Sequence, residues 1–94
     1  MPFEREVSSF GDLMKEAAVL DEDSGIRLPG TRGGQKCLVF VTRFGPRYTL
    51  MVYSVKKGTG TPDKRLETAE LDDPKALARA LRTVAGREVQ AYIY

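Results

Sequence analysis

The stretch CLVFVTRFGPRYTLMVYSV, from Cys37 to Val55, predicts two β-strands that fold back on each other. Both halves are rich in β-branched and aromatic residues, which favour strands, and Gly45-Pro46 lies between them. Glycine supplies the positive φ that the first position of a type II′ turn needs, and proline fits the second position. A four-residue loop from Phe44 to Arg47 would leave the register unchanged. The predicted register pairs Cys37 with Ser54, Val39 with Val52, Val41 with Leu50 and Arg43 with Tyr48.

Side chains alternate across a strand, so this hairpin has two unlike faces. One face is small and aliphatic, as expected beneath a helix: Cys37, Val39, Val41, Leu50 and Val52. The other mixes aromatic rings with hydroxyl groups and an arginine: Leu38, Phe40, Thr42, Phe44, Arg47, Thr49, Met51, Tyr53 and Val55. Bases stack on aromatic rings while phosphates bind cations at the margins, so the second face suits a single-stranded nucleic acid. On the hairpin alone, a second core layer under a helix or a partner subunit is the simpler interpretation.

The distribution of charge changes that preference. The net charge is only +2, but nine of the 15 basic residues and one of the 13 acidic residues lie between Ile26 and Leu66. The 25 residues before this segment carry seven acidic and two basic side chains. A basic surface attracts polyanions and releases their counterions. These cations flank the strands that carry the aromatic residues, and this coincidence favours nucleic-acid binding.

Composition limits the other classes of function. The chain has no histidine and one cysteine, Cys37, so it lacks an internal disulfide, His-dependent catalysis and the usual nitrogen and sulfur metal ligands. We therefore expect a protein that is not an enzyme and has no cofactor or metal. No apolar run approaches the roughly 20 residues of a membrane helix, and the N-terminus does not resemble a secretory signal. The expected location is the cytoplasm, with no membrane partner.

The length of 94 residues predicts a single domain over residues 1–94. Periodicity places helices at 9–20, capped by Ser8 or Ser9, and at 74–85, and further strands at 26–28, 65–71 and 87–94. The predicted fold is α+β, in the order α-β-β-β-β-α-β, with a mostly antiparallel four- to five-stranded sheet and helices packed on one face. The two C-terminal tyrosines, Tyr92 and Tyr94, extend the aromatic face or edge the core.

Two segments between the predicted strands and one pair of acidic residues remain to be interpreted. Residues 29–36 and 56–64 are glycine-punctuated, basic segments and are predicted to be loops. Turn formation is the preferred role of the first, and the second is either a plain surface loop or one whose lysines position a ligand through its phosphates. Asp72 and Asp73 precede Pro74, as expected for a helix cap. A metal-dependent enzyme acting on nucleic acid through these carboxylates is the least favoured alternative.

The leading hypothesis is single-stranded nucleic-acid binding, to DNA and possibly RNA, with low sequence specificity. Three aromatic residues are expected to stack on bases, with one arginine beside them on the same face: Phe40, Phe44, Tyr53 and Arg47. The residues expected to hold phosphates are Arg32, Lys36, Arg43, Lys56 and Lys57. The alternative is a protein-protein interaction module, or an accessory homodimer, whose aromatic face is buried against protein.

Two families resemble this arrangement. From Lys36 to Val84, the order of strand, turn, strand, long basic loop, strand and capped helix resembles the single-stranded-DNA-binding domain of the positive-cofactor-four and whirly group. That resemblance implies a curved antiparallel sheet that meets DNA and a helix that builds a dimer, although the strand after the helix departs from the pattern. The N-terminal helix, together with 30% charged residues and no asparagine, is also similar to the archaeal ThermoDBP-related single-stranded-DNA-binding proteins, which we prefer.

Overall fold

The computed structural model describes residues 5–84 and 89–94. The elements follow the order β1 (Arg5–Val7), α1 (Phe10–Ala18), β2 (Gly25–Arg32), β3 (Gln35–Phe44), β4 (Arg47–Val55), β5 (Pro62–Leu71), α2 (Pro74–Val84) and β6 (Ala91–Ile93). The strands form one six-stranded antiparallel sheet in the spatial order β1-β6-β2-β3-β4-β5. The α+β class and the antiparallel sheet are confirmed. The expected count of four to five strands and the expected order were wrong, because a strand precedes α1.

The hairpin of β3 and β4 has the predicted register at all four predicted pairs. Phe44 pairs with Arg47, so Gly45-Pro46 forms a two-residue turn, and Gly45 has a φ of +61°. Positive φ followed by proline, whose ring fixes a negative φ, is the pattern of a type II′ turn. Local chemistry therefore determined this element.

The sequence predicts a loop at the basic segment 29–36, and this prediction is wrong. β2 continues through Pro29 to Arg32, and the turn to β3 consists only of Gly33 and Gly34, with φ of +58° and +82°. Two consecutive glycines with positive φ are enough for a tight hairpin turn. In the described part of the chain, the register between β6 and β2 extends only to Arg27, so the missing N–H of Pro29 interrupts no pairing on that side.

The chain ends also differ from expectation. β1 had no counterpart among the predicted elements, and it pairs Val7 with Ala91 of β6. β5 begins at Pro62 rather than at residue 65, with irregular register opposite Tyr53 and Val55. β6 covers Ala91–Ile93, and the start of the predicted strand 87–94, like the end of the predicted helix 74–85, lies outside the described residues.

Both helices begin at the predicted caps. The backbone N–H of Asp12 donates to Ser9 Oγ at 3.1 Å, and that of Ala76 donates to Asp73 Oδ1 at 2.8 Å. These bonds satisfy amide groups that have no partner within the first turn of a helix.

The helices cover the aliphatic face of the sheet, as predicted. The core joins the helix residues Leu13, Ala17, Leu77, Leu81 and Val84 to the strand residues Ile26, Leu28, Val39, Val41, Leu50 and Val52. α2 approaches β2 so closely that a Cβ at Gly30 would lie 2.3 Å from the carbonyl oxygen of Val84. Glycine is therefore required at the contact between the end of α2 and the sheet.

Neither helix packs on the opposite face. We call it the open face. Strands β2, β3, β4 and β6 contribute Arg27, Leu38, Phe40, Thr42, Thr49, Met51, Tyr53, Val55, Tyr92 and Tyr94, and the edge strands β1 and β5 add Glu6, Arg65, Thr68 and Glu70. Most of these side chains are half-buried by one another, in contrast to the fully buried residues beneath the helices. The sheet therefore presents a partly apolar, aromatic surface to solvent.

Candidate functional site

The centre of the open face is a cluster of aromatic rings. The rings of Phe40 and Tyr53 meet edge to face, with centroids 5.6 Å apart and planes at 86°. The ring of Tyr94 lies against Gly25, where a Cβ would come within 2.7 Å of it. Together with Met51 and Pro62, these rings line a shallow depression of about 360 Å³. The glycine lets Tyr94 lie close to the sheet and extend the aromatic surface toward β6.

A row of planar groups crosses the sheet beside this depression. The register places Tyr92 of β6 opposite Arg27 of β2, and Arg27 opposite Phe40 of β3. The guanidinium carbon of Arg27 lies 5.2 Å from the centroid of the Tyr92 ring, a cation–π contact. Because neighbouring strands are about 4.8 Å apart, the row from Tyr92 to Phe40 spans about 10 Å.

Three of the predicted phosphate-binding residues lie together at one end of the open face. Lys36 is the second residue of β3, and Lys56 and Lys57 follow β4. All three are exposed and line one depression of about 500 Å³. Among residues 5–84 and 89–94, none of the three ammonium groups has an ion-pair partner. They concentrate positive charge at this end of the open face.

Arg32 lies on the other side of the sheet. Gly30 pairs with Cys37 beneath the helices, so Arg32, two residues later on the same strand, points away from the open face. Its guanidinium forms an ion pair with Glu67 of β5. This arginine is already neutralised.

The side chain of Arg43 forms hydrogen bonds at the end of α1. Its Nη1 donates to the carbonyl oxygens of Ala18 and Leu20, each at 3.1 Å, and its Nε donates to that of Gly45 at 2.9 Å. Its guanidinium carbon also lies 5.3 Å from the centroid of the Tyr48 ring. Carbonyl groups at the end of a helix lack internal partners, so Arg43 serves the fold.

Phe44 and Arg47 lie at the far end of the hairpin. Phe44 is 78% exposed, whereas Arg47 lies 3.4 Å from Asp72 Oδ1 and 3.9 Å from Glu70 Oε2. Phe44 lies eight positions after Lys36 on β3, a distance of about 26 Å at about 3.3 Å per residue. The structure thus divides the predicted set into a lysine end, an aromatic centre and a distal end at the turn.

Sequence reasoning missed Arg27 and left Tyr92 and Tyr94 undecided. The alternation of Tyr92 and Tyr94 was visible in the sequence, but their face depends on the pairing of β6 with β2, between residues more than 60 positions apart. No local pattern specifies such a pairing.

The carboxylates considered for enzymatic chemistry have structural partners. Asp73 caps α2, and Asp72 pairs with Arg47. Within the described ranges, no group of three or more Cys, Asp and Glu side chains is arranged to hold a metal ion. Neither α1 nor α2, over the residues that the structure describes, could span a membrane.

These features define the chain as an α+β protein with a single antiparallel sheet, two helices on one face and an aromatic surface on the other. Comparisons with models of known protein families, with curated proteins and with solved structures found no match to this chain.

Proposed function

We propose that this protein binds single-stranded nucleic acid on its open face, without enzymatic activity and with low sequence specificity. The observation that carries the proposal is the continuity of planar groups on one face, Tyr92, Arg27, Phe40 and Tyr53, with three exposed lysines that line a depression at one end of that face. Unpaired bases expose flat faces that stack on such groups, and their phosphates need cations nearby.

The shape of the surface favours single strands over duplexes. In a duplex the flat faces of the bases are stacked on one another, and only base edges line the grooves. A reader of duplex DNA inserts a helix or a two-stranded ribbon into a groove, whereas the open face is broad and lies in the middle of a six-stranded sheet. Splayed bases match this surface better.

In this proposal Phe40 and Tyr53 stack on bases, while Lys36, Lys56 and Lys57 neutralise phosphates. Tyr92 and Arg27, adjacent in the same row, continue the stacking surface. Phe44, with its exposed ring, extends it at the turn, and Arg47 lies beside it. Arg32 and Arg43 are left out, because their guanidinium groups are engaged within the fold.

Low specificity follows from the chemistry of the face. Stacking tolerates every base, since each has a flat π-face. Leu38 and Met51, beside the rings, offer no strong hydrogen-bonding group to a base edge, and the charged Glu6 and Arg65 lie on the edge strands β1 and β5. We include in this proposal the resemblance to the archaeal ThermoDBP-related proteins, which implies the same kind of single-stranded-DNA binding.

Two further expectations belong to the proposal: a cytoplasmic location and a homodimer. Light scattering of the protein, with and without an oligonucleotide, measures the second. A homodimer that persists with the oligonucleotide bound is compatible with an open face that contacts nucleic acid. Dissociation on binding would instead identify the open face as the dimer interface.

Fluorescence-anisotropy titration of single-stranded DNA, double-stranded DNA and single-stranded RNA, each at two salt concentrations, tests the proposal. We expect binding to single strands that weakens steeply as salt increases, because binding releases cations from the phosphates and that release is less favourable at higher salt. The comparison of DNA with RNA measures the contribution of the 2′-hydroxyl. Absence of binding at low salt would overturn the proposal and leave the open face as a protein interface.

Phe40→Ala is the most direct variant. Loss of one stacking ring costs about 1 to 3 kcal/mol, so we expect the dissociation constant for single-stranded DNA to rise about fivefold to 150-fold. Val19→Ala is the control, since Val19 is an apolar residue on the helix side with 73% exposure. Thermal unfolding of both variants checks the fold. Unchanged affinity of a folded Phe40→Ala protein would remove Phe40 from the site.

A further inference from the structure

Two depressions adjoin at the lysine end of the open face. One, of about 390 Å³, is bordered largely by apolar groups, including Pro29, Leu38 and Val55. The other, of about 500 Å³, contains Lys36, Lys56 and Lys57. Lys36, Val55 and Gly60 line both depressions, so they form one composite site, which we call the end pocket. It has an apolar part and a cationic part side by side.

The connection between β4 and β5 forms the wall of the end pocket. The N–H of Lys56 donates to the carbonyl oxygen of Thr61 at 2.8 Å, and that of Gly60 donates to the carbonyl oxygen of Lys56 at 3.0 Å. The hydroxyl groups of Thr59 and Thr61 are 2.8 Å apart. The connection is thus folded on itself at the margin of the face. A nucleic-acid strand that follows the open face toward the lysines reaches this connection.

The charge of the end pocket is better suited to a dianion than to a single negative charge. Three ammonium groups share one depression, and within the described ranges none has an ion-pair partner. An internal phosphodiester carries one negative charge, whereas a phosphate monoester carries between about 1.5 and 2 at pH 7. Attraction to several clustered cations increases with each unit of ligand charge.

We propose that the end pocket binds the phosphorylated terminus of a single strand. The terminal phosphate lies among Lys36, Lys56 and Lys57, and the terminal nucleoside lies against Pro29, Leu38 and Val55. This inference rests on the proposed function, because the rest of the strand continues along the open face toward Phe40 and Tyr53. Its ligand class is an oligonucleotide that ends in a phosphate monoester.

Affinity for matched oligonucleotides tests the inference. The probes are oligothymidylates of about 12 nucleotides, within the range of single-strand site sizes, with a 5′-phosphate, a 3′-phosphate or hydroxyl groups at both ends. Each carries its fluorophore on an internal base. We expect one phosphorylated probe to bind about tenfold more tightly than the hydroxyl-ended probe, since the extra charge lies beside three cations. The preferred probe identifies which end enters the pocket.

Two variants locate the effect. The double variant Lys56→Gln with Lys57→Gln should reduce the ratio of the two affinities toward one, while its binding to the hydroxyl-ended probe also falls through lost phosphate contacts. Phe40→Ala should weaken binding to all probes and leave the ratio unchanged. Equal affinities in the wild-type protein, or a ratio that survives in the double lysine variant, would overturn the inference while the proposed function stands. Failure of every probe to bind would overturn both.

Discussion

The hydroxyl group of Tyr48 joins the sheet to α1. Tyr48 is 1% exposed, and its hydroxyl donates to the carbonyl oxygen of Ala17 at 2.7 Å. The tyrosine side chain therefore fills the core and also satisfies a carbonyl group near the end of the helix. Tyr53 has the same chemistry in another setting: it is half-buried on the open face, and its hydroxyl contacts Met51 Sδ at 3.8 Å.

These two tyrosines give a matched pair of substitutions. We expect Tyr48→Phe to lower the free energy of unfolding by about 1 kcal/mol, because it removes a buried hydrogen bond. Tyr53→Phe should change it by less than about 0.5 kcal/mol, since water replaces the weak sulfur contact. Urea titration measures both. A loss for Tyr48→Phe no larger than that for Tyr53→Phe would contradict the greater contribution assigned to the buried hydrogen bond.

The thiol of Cys37 makes stability depend on pH at the alkaline end. Burial raises its pKa, while Arg32 and the backbone N–H of Gly30 act in the opposite direction and only partly offset it. The folded protein thus holds the proton more tightly than the unfolded chain does. The resulting stability is complete below the pKa of a free thiol, about 8.5, and declines as pH rises through the raised pKa of the folded state.

Thermal unfolding at about pH 7 and about pH 10 tests this, with Cys37→Ala as the reference that shares every pH effect except that of the thiol. Raising the pH should lower the melting temperature of the wild-type protein by more than it lowers that of Cys37→Ala. A difference in melting temperature between the two proteins that stays constant between the two pH values would show that Cys37 ionises equally in both states.

At the scale of elements, the sequence predicts what short-range chemistry determines. The hairpin follows from Gly45-Pro46 and from alternation on both sides, and its register is correct. The helix starts follow from Ser9 and Asp73. β1 could not be found, since three residues are too short for a periodic pattern and pair with β6 at the opposite end of the chain.

Gly45 provides a test of the turn. Its φ of +61° disfavours any residue with a Cβ, although a Cβ there would meet nothing within 4 Å. We expect Gly45→Ala to destabilise the protein by about 1 kcal/mol. Gly11→Ala is the control, because that position also has open space but lies in α1, where alanine is favoured by up to about 1 kcal/mol. Chemical denaturation should therefore give opposite signs, and matching signs would contradict the role of φ.

The candidate site was predicted from the sequence in part. Alternation in β3 and β4 was enough to place Phe40 and Tyr53 on the face opposite the aliphatic one. The arginines could not be assigned in this way, since Arg43 depends on the end of α1 and Arg32 on a glutamate 35 residues away. The role of a long side chain depends on its partners in the folded protein, and local sequence does not specify those partners.

At the scale of the whole molecule, binding should depend on the local position of charge more than on its total. Each phosphate contact made by a single strand contributes about −0.7 to the slope of log affinity against log salt. We expect Lys36→Gln to make the slope less steep by about this amount. Lys75→Gln changes the net charge equally, but Lys75 lies in the first turn of α2, on the opposite side of the sheet from the open face. The salt slope measured for Lys75→Gln should therefore match that of the wild-type protein. Equal slopes in both variants would indicate that net charge alone determines binding.

The placement of the tyrosines has a consequence for spectroscopy. The chain has four tyrosines and no tryptophan, so its ultraviolet emission comes from tyrosine. Tyr53, Tyr92 and Tyr94 lie on the open face, and Tyr48 lies in the core. A ligand that stacks on the open face quenches three emitters and leaves the fourth as an internal standard for folding. The unlabelled protein thereby carries an optical signal of occupancy on the surface where binding is proposed.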